Sequence, residues 1–303
     1  MLLDAIASPA DLRRLDAAQL PALAEEIRTF IVESVAANGG HLGSNLGVVE
    51  LTLALHRVFD SPHDRILWDT GHLAYVHKLI TGRRAGFAAL RQEGGLSGYP
   101  NRAESEHDWI ENSHATTALS YAHGLAMAED LRLEAARRHG ERAHRCEVVA
   151  VIGDGALTGG MAYEALNNLG HSGRKAIIVL NDNGRSYAPT ASRLGESLSR
   201  FRASSTYLRN RERLERLIQD VPLVGNYLER GVGGAKAALR EMFEPPVFFE
   251  QLGVHYLGPY DGHDVTAVET ALRAARDLDE PVVVHVLTRK GLGYGPAEAD
   301  QVK

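Results

Sequence analysis

VVAVIGDGALTGGMAYEALNNLG (148–170), followed by KAIIVLNDN (175–183), decides the fold. Each segment holds a nearly unbroken β-branched apolar run, the pattern of a strand covered on both faces of a parallel sheet. A helical stretch, GGMAYEALNNLG, lies between them. A strand–helix–strand unit brings both strands out at one carboxyl edge, where open α/β sheets bind ligands. Upstream, RILWD (65–69) reads as a short strand; downstream, EPVVVHVLT (280–288) reads as another, preceded by the helix VTAVETALRAARD (265–277). Further helices are expected over LAEEIRTFIVESVAAN (23–38), GVVELTLALHRVF (47–59) and 116–138, the last opened by Thr116-Thr117. The alternation predicts an α/β fold, a doubly wound mostly parallel sheet, within a single domain spanning 1–303. The stretch 184–245, rich in Arg, Ser and Leu, breaks the rhythm. It is far longer than the roughly 2–6 residues of an ordinary α/β connection. It reads either as a helical surface excursion or as a flexible flap beside a site.

Composition narrows the function classes. Of 303 residues, 44% are hydrophobic and 24% charged, the balance of a globule with a sizeable core. No apolar run reaches the roughly 18 residues that span a bilayer, and the N-terminus lacks a basic, apolar export signal. A net charge of -6 without a basic block argues against nucleic acid as a partner. Cys146 is the single cysteine, so no disulfide framework is available. A cytoplasmic protein with no membrane partner is expected.

Chemistry concentrates at the two strand ends. Asp154, in Gly153-Asp154-Gly155-Ala156, and Asn183, in Asn181-Asp182-Asn183, are hard oxygen donors at one sheet edge, suited to Mg²⁺. Mg²⁺ rarely completes its octahedron from protein alone, so phosphate oxygens would fill the remaining positions. Gly153 and Gly155 let backbone approach a bulky anion, and a helix entered near Thr158-Gly159 would offer its first amides. Alone, GDG is a strand-to-helix turn and NDN a loop; paired at neighbouring strand ends, they fit a metal-bridged diphosphate. No P-loop is present, which disfavours a nucleotide site. His41 (GGHLGSN), His72 (DTGHLAY) and His114 (NSHATT) each sit in a permissive turn, and together they point to a site rather than to structural histidines.

GDG followed on the next strand by NDN resembles the thiamine-diphosphate signature. GGHLGSNLGVVELTLALHRVF (39–59), WDTGHLAYVHKLITGR (68–83), LGPYDGHD (257–264) and VLTRKGLGYGPAEAD (286–300) extend the likeness to the 1-deoxy-D-xylulose-5-phosphate synthase family. The resemblance implies a thiamine-diphosphate-binding fold, with thiamine diphosphate and Mg²⁺ as cofactors and pyruvate and glyceraldehyde 3-phosphate as substrates. It implies that His72, Ser113, His114 and Ala115 line the cofactor. Gly155, Ala156 and Asn183 would grip its diphosphate, and Tyr294 would close over it. Asp154, Asn183 and the carbonyl oxygen of Arg185 would ligate the metal, and His41 and His114 would act on the carbonyl substrates. Leu73 stands where the family commonly has a glutamine; His123 and 191–197 also depart from its pattern.

In that family the glutamate that activates the pyrimidine N1′ lies on a second domain, followed by a third. Neither is expected here, so this chain is read as one half of an active site, in an oligomer or with a polypeptide that supplies the pyrimidine-binding domain. It is either a natural split subunit, of such a synthase or of a transketolase-like enzyme with another acceptor, or a fragment. A non-catalytic diphosphate-binding scaffold is the remaining alternative, which the intact Asp154/Asn183 pair argues against.

Overall fold

The structure, a computed structural model, describes residues 1–184 and 244–299. Among the described residues, five strands form one sheet: β1 (Arg65–Trp68), β2 (Val148–Gly153), β3 (Ile177–Asp182), β4 (His255–Asp261) and β5 (Val282–Leu287). Their order is β1-β2-β3-β5-β4, and every neighbouring pair is parallel. The expected parallel, doubly wound α/β architecture is therefore present.

The described helices are α1 (Pro9–Arg13), α2 (Leu20–Asn38), α3 (Leu42–Leu46), α4 (Val49–Val58), α5 (Tyr75–Ile80), α6 (Ala118–Arg138), α7 (Asp154–Leu157), α8 (Gly160–Ser172), α9 (Glu244–Gln251), α10 (Val265–Asp277) and α11 (Gly295–Ala299). Strand residues alternate between two cores, as a pleated sheet requires. Val149, Val151, Val179 and Val284 pack with α4 and α10. Ala150, Ile152, Ile178 and Leu180 pack with α6 and α8, whose contact faces are rich in alanine: Ala118, Ala122, Ala126, Ala162 and Ala165. A third cluster joins α2 to α4 and α5. No described helix is long and apolar enough to cross a membrane.

Some element boundaries differ from the sequence reading. The helix expected over 47–59 is α4, which begins at Val49 because a break at Gly47-Val48 separates it from the unexpected short α3. The helix expected from Thr116 starts at Ala118, because the Asp69 carboxylate accepts the Ala118 N–H at 3.0 Å and fixes its first turn there. β4 was not expected. It is an edge strand, mostly half-buried, with an irregular register between Leu257 and Tyr260. An edge tolerates the Gly258-Pro259 pair that a central strand would refuse, and that pair hides the strand from a search for apolar runs. Within the 184–245 excursion, residues 185–243 lie outside the described residues, so neither reading of it is decided.

α8 meets the turn before β4 at a backbone contact. A Cβ added to Gly170 would overlap the Leu252 carbonyl. Gly170→Ala is therefore expected to lower stability by about 1–3 kcal/mol, the usual cost of overpacking, measured as a lower urea midpoint at unchanged slope.

Candidate functional site at the carboxyl edge

Ladder register sets the site. Trp68 pairs with Val151, Gly153 with Asn181, and Asp182 with Leu287. The chain thus leaves the sheet side by side at Asp69, Asp154, Asn183 and Thr288. Asn181 and Asp182 face inward: Asn181 Oδ1 accepts the Thr288 hydroxyl at 2.6 Å, and Asp182 Oδ2 pairs with His285 Nε2 at 3.1 Å. Both are buried and tie β3 to β5. Asn183 is left at the rim, where it lines a cavity of about 310 Å³ with Thr288, Arg289, Lys290 and Glu298. Asp154 is buried at the start of α7, with Gly155 and Ala156 half-buried beside it.

His41 and His72 come together with ring centroids 5.3 Å apart, and Tyr99 stands 6.0 Å from His41. Asn45, fully buried, clamps their loops. Its Nδ2 donates to the carbonyl of His41 at 2.6 Å and to that of His72 at 2.8 Å, while its Oδ1 accepts the Tyr75 N–H at 3.0 Å. The side-chain Nδ1 atoms of both histidines are buried without a hydrogen-bond partner among the described residues. Burial is the main cause that lowers the His72 pKa to about 4, helped by His41 and by the Lys290 charge. Burial, Arg91 and Lys290 likewise lower that of His41.

Asp69 organises the neighbouring loop. Its carboxylate accepts the Thr116 N–H at 2.9 Å as well as that of Ala118. Thr116 adopts φ 77°, and its methyl occupies the space that a Cβ on Gly159 would need. The end of β1, the start of α6 and the turn before α8 are therefore one locked unit. Ser113, His114 and Ala115 lie exposed on its shoulder, with the His114 N–H donated to Asn112 Oδ1 at 2.9 Å. Among the described residues no ring contact joins His114 to His41 or His72. Tyr294 packs against the cluster of N-terminal helices, and its loop is tied to α3 by the Gly291 N–H donated to the Gly43 carbonyl at 2.8 Å. Arg185 lies outside the described residues.

The structure thus pairs His41 with His72 and sets Asp154 and Asn183 at neighbouring strand ends through register, while His114 lies on the loop before α6 and Tyr294 on the loop before α11. Leu73 is buried, in the cluster that includes Val48 and Leu51, directly after His72 in the chain. Sequence reasoning missed Asn45, Asp69 and Lys290. Asp69 carried a usable signal, an acid directly after a strand; Asn45 carried none, since it joins the turn at His41 to the one at His72–Tyr75.

The donor set suits a hydrated, phosphate-bridged cation better than a closed protein cage. Among the described residues no group of three or more His, Cys, Asp or Glu is placed to hold a metal ion. One carboxylate and one amide fit Mg²⁺, which keeps waters and takes phosphate oxygens.

The family model described as 1-deoxy-D-xylulose-5-phosphate synthase matches residues 3–288. The 1-deoxy-D-xylulose-5-phosphate synthase of Mycobacterium tuberculosis is 58% identical over 302 residues, covering 100% of this chain and 46% of that protein. The enzyme of the same name from Frankia casuarinae is 57% identical over 299 residues, covering 99% of this chain and 44% of the relative. The chain spans less than half the length of these relatives. Among solved structures, a Pichia stipitis transketolase mutant superposes with TM-score 0.65 at 20% identity, covering 92% of this chain and 37% of that one. The Campylobacter jejuni transketolase gives 0.64 at 19%, covering 93% and 39%. At such identity the likeness concerns the fold.

The half-buried histidine pair has a measurable consequence. With a native pKa near 4, His72 stays neutral where an unfolded histidine is already charged. The unfolded state then binds more protons, so its contribution to stability falls as pH drops from about 6.5 towards 4 and is constant above 7. NMR titration of the His72 ring should give a midpoint near 4 rather than near the unperturbed value.

Proposed function

The chain belongs to the 1-deoxy-D-xylulose-5-phosphate synthase family, and from that premise we propose that it forms the diphosphate-binding part of a thiamine-diphosphate-dependent transferase. The observation that carries the proposal is the convergence of Asp154, Asn183 and the neutral His41–His72 pair on the carboxyl edge of one parallel sheet. The substrates we assign are pyruvate and an aldehyde phosphate, glyceraldehyde 3-phosphate, in a reaction that feeds isoprenoid synthesis.

In this reading Asp154 and Asn183, with the carbonyl oxygen of Arg185, hold Mg²⁺ against the diphosphate. Gly155 and Ala156 present their backbone to the same anion. Lys290 adds positive charge where diphosphate oxygens would lie, at the cavity it shares with Asn183. His72 and Ser113–Ala115 line the cofactor, and Tyr294 closes over it. Once bound, thiamine diphosphate supplies a thiazolium carbon that can attack the pyruvate carbonyl and accept the electron pair left as carbon dioxide departs. His41, neutral and desolvated, can donate a proton to a developing alkoxide or take one back; His114 serves the same end from the opposite loop. The carboxylate that must activate the pyrimidine is assigned to the part of the relatives' length that this chain does not span. A scaffold without catalysis is disfavoured by membership of a family whose named members are synthases.

Calorimetry with Mg²⁺ and thiamine diphosphate tests the site: Asp154→Ala should abolish Mg²⁺-dependent binding and leave the far-UV circular dichroism unchanged. Unaltered binding overturns the metal assignment. The chain by itself should show no pyruvate consumption with glyceraldehyde 3-phosphate, and a polypeptide bearing the pyrimidine-binding domain should restore it. General-base and orientation effects of the missing carboxylate are worth several orders of magnitude in rate. Turnover by the chain alone overturns the half-site.

A further inference from the structure

The loop after β5 carries Arg289 and Lys290 to the cavity at Asn183, yet it belongs to no regular element until α11. Its position is set from below by three side chains far apart in sequence. Glu50, buried on α4, receives Arg28 of α2 with Nη2 at 2.7 Å from both carboxylate oxygens. The same carboxylate lies 3.1 Å from Nδ1 of His263, in the turn between β4 and α10. On the far side of that ring, Nε2 accepts the backbone N–H of Arg289 at 2.8 Å. Arg28 also donates from Nε to the Leu292 carbonyl at 3.0 Å.

The tautomer follows from these partners. Nε2 must be unprotonated to accept the Arg289 N–H, so the proton sits on Nδ1 and is donated to Glu50. Burial opposes ionisation of Glu50, but the His263 bond and the Arg28 charge outweigh it and hold its pKa below the usual range. Glu50 is thus a fixed anion that selects one tautomer of His263, and that tautomer fixes one end of the loop. Nothing in this chain of contacts reaches the diphosphate region directly; it acts through Arg289 and Lys290.

We propose that His263 is a positioning residue: oriented by the Arg28–Glu50 pair, it accepts the Arg289 N–H and so sets Lys290 at the carboxyl edge. Its effect on ligand binding rests on the diphosphate reading of that edge, whereas its effect on the loop does not.

Two substitutions separate the ring's two contacts. In His263→Asn the amide nitrogen takes the place of Nδ1, which keeps Glu50 and loses Arg289. In His263→Gln the amide oxygen reaches the place of Nε2, which keeps Arg289 and loses Glu50. Hydrogen exchange of the full chain should show the Arg289 amide exchanging about three- to tenfold faster in H263N, the value of one net hydrogen bond, and close to wild type in H263Q. Calorimetry with Mg²⁺ and thiamine diphosphate should show affinity lowered by a similar factor in H263N alone. Equal exchange in the two variants would mean that the ring only fills space, and overturns the proposal. Split exchange with affinity equal to wild type in both also overturns it, because the loop would then not serve the site. If the wild-type chain binds no cofactor, the diphosphate reading fails, and the exchange contrast alone decides whether His263 sets the loop. Should H263N fail to fold, H263L against H263Q carries the same contrast, since leucine keeps the bulk and neither polar contact.

Discussion

The parallel ladder between β2 and β3, with Gly153 opposite Asn181, is the constraint on which the site depends. Both strands are buried on both faces, Val149 and Val151 towards one core and Ala150 and Ile152 towards the other. A slip of one residue would exchange the valines for the smaller Ala150 face and misfit both helix layers at once. Core packing therefore holds Asp154 and Asn183 in register, although neither belongs to the core by chemistry. The site inherits its geometry from apolar contacts beneath it.

Polar side chains then convert loops into fixed surfaces. Asn45 uses both ends of its amide on the His41, His72 and Tyr75 backbones, and Asp69 uses both oxygens on Thr116 and Ala118. Asp182 and Asn181 spend their acceptors on β5 and on the residue that follows it. A buried polar group left unpaired costs about 1–3 kcal/mol, so each of these bonds resists displacement of the loop it holds. Against that background the buried Nδ1 atoms of His41 and His72, without a partner among the described residues, stand out, because they are where a ligand would recover an unmet hydrogen bond.

Electrostatics at the rim point the same way. Burial and nearby cations, Lys290 among them, disfavour a proton on His41 and His72, leaving neutral imidazoles that can either give or accept one. The same lysine lies on the cavity wall with Asn183, so its charge reaches both that cavity and the two histidines. Membership of the 1-deoxy-D-xylulose-5-phosphate synthase family gives this arrangement a chemical context. The geometry gives it physical content, with a register, two anchored loops and a latch under the last one.

The sequence by itself determined the sheet class, because continuous β-branched runs such as those at 148–152 and 282–286 can be satisfied only between two helix layers. It also determined the pairing of Asp154 with Asn183, since residues after adjacent parallel strands must share an edge. Local composition could not reveal β4, whose Gly258-Pro259 pair is permitted only by its place at the sheet's edge. Only the tertiary structure decided the roles of Asn45, Asp69 and His263, because each holds backbone of a loop remote in sequence, and such partners leave no periodic trace along the chain.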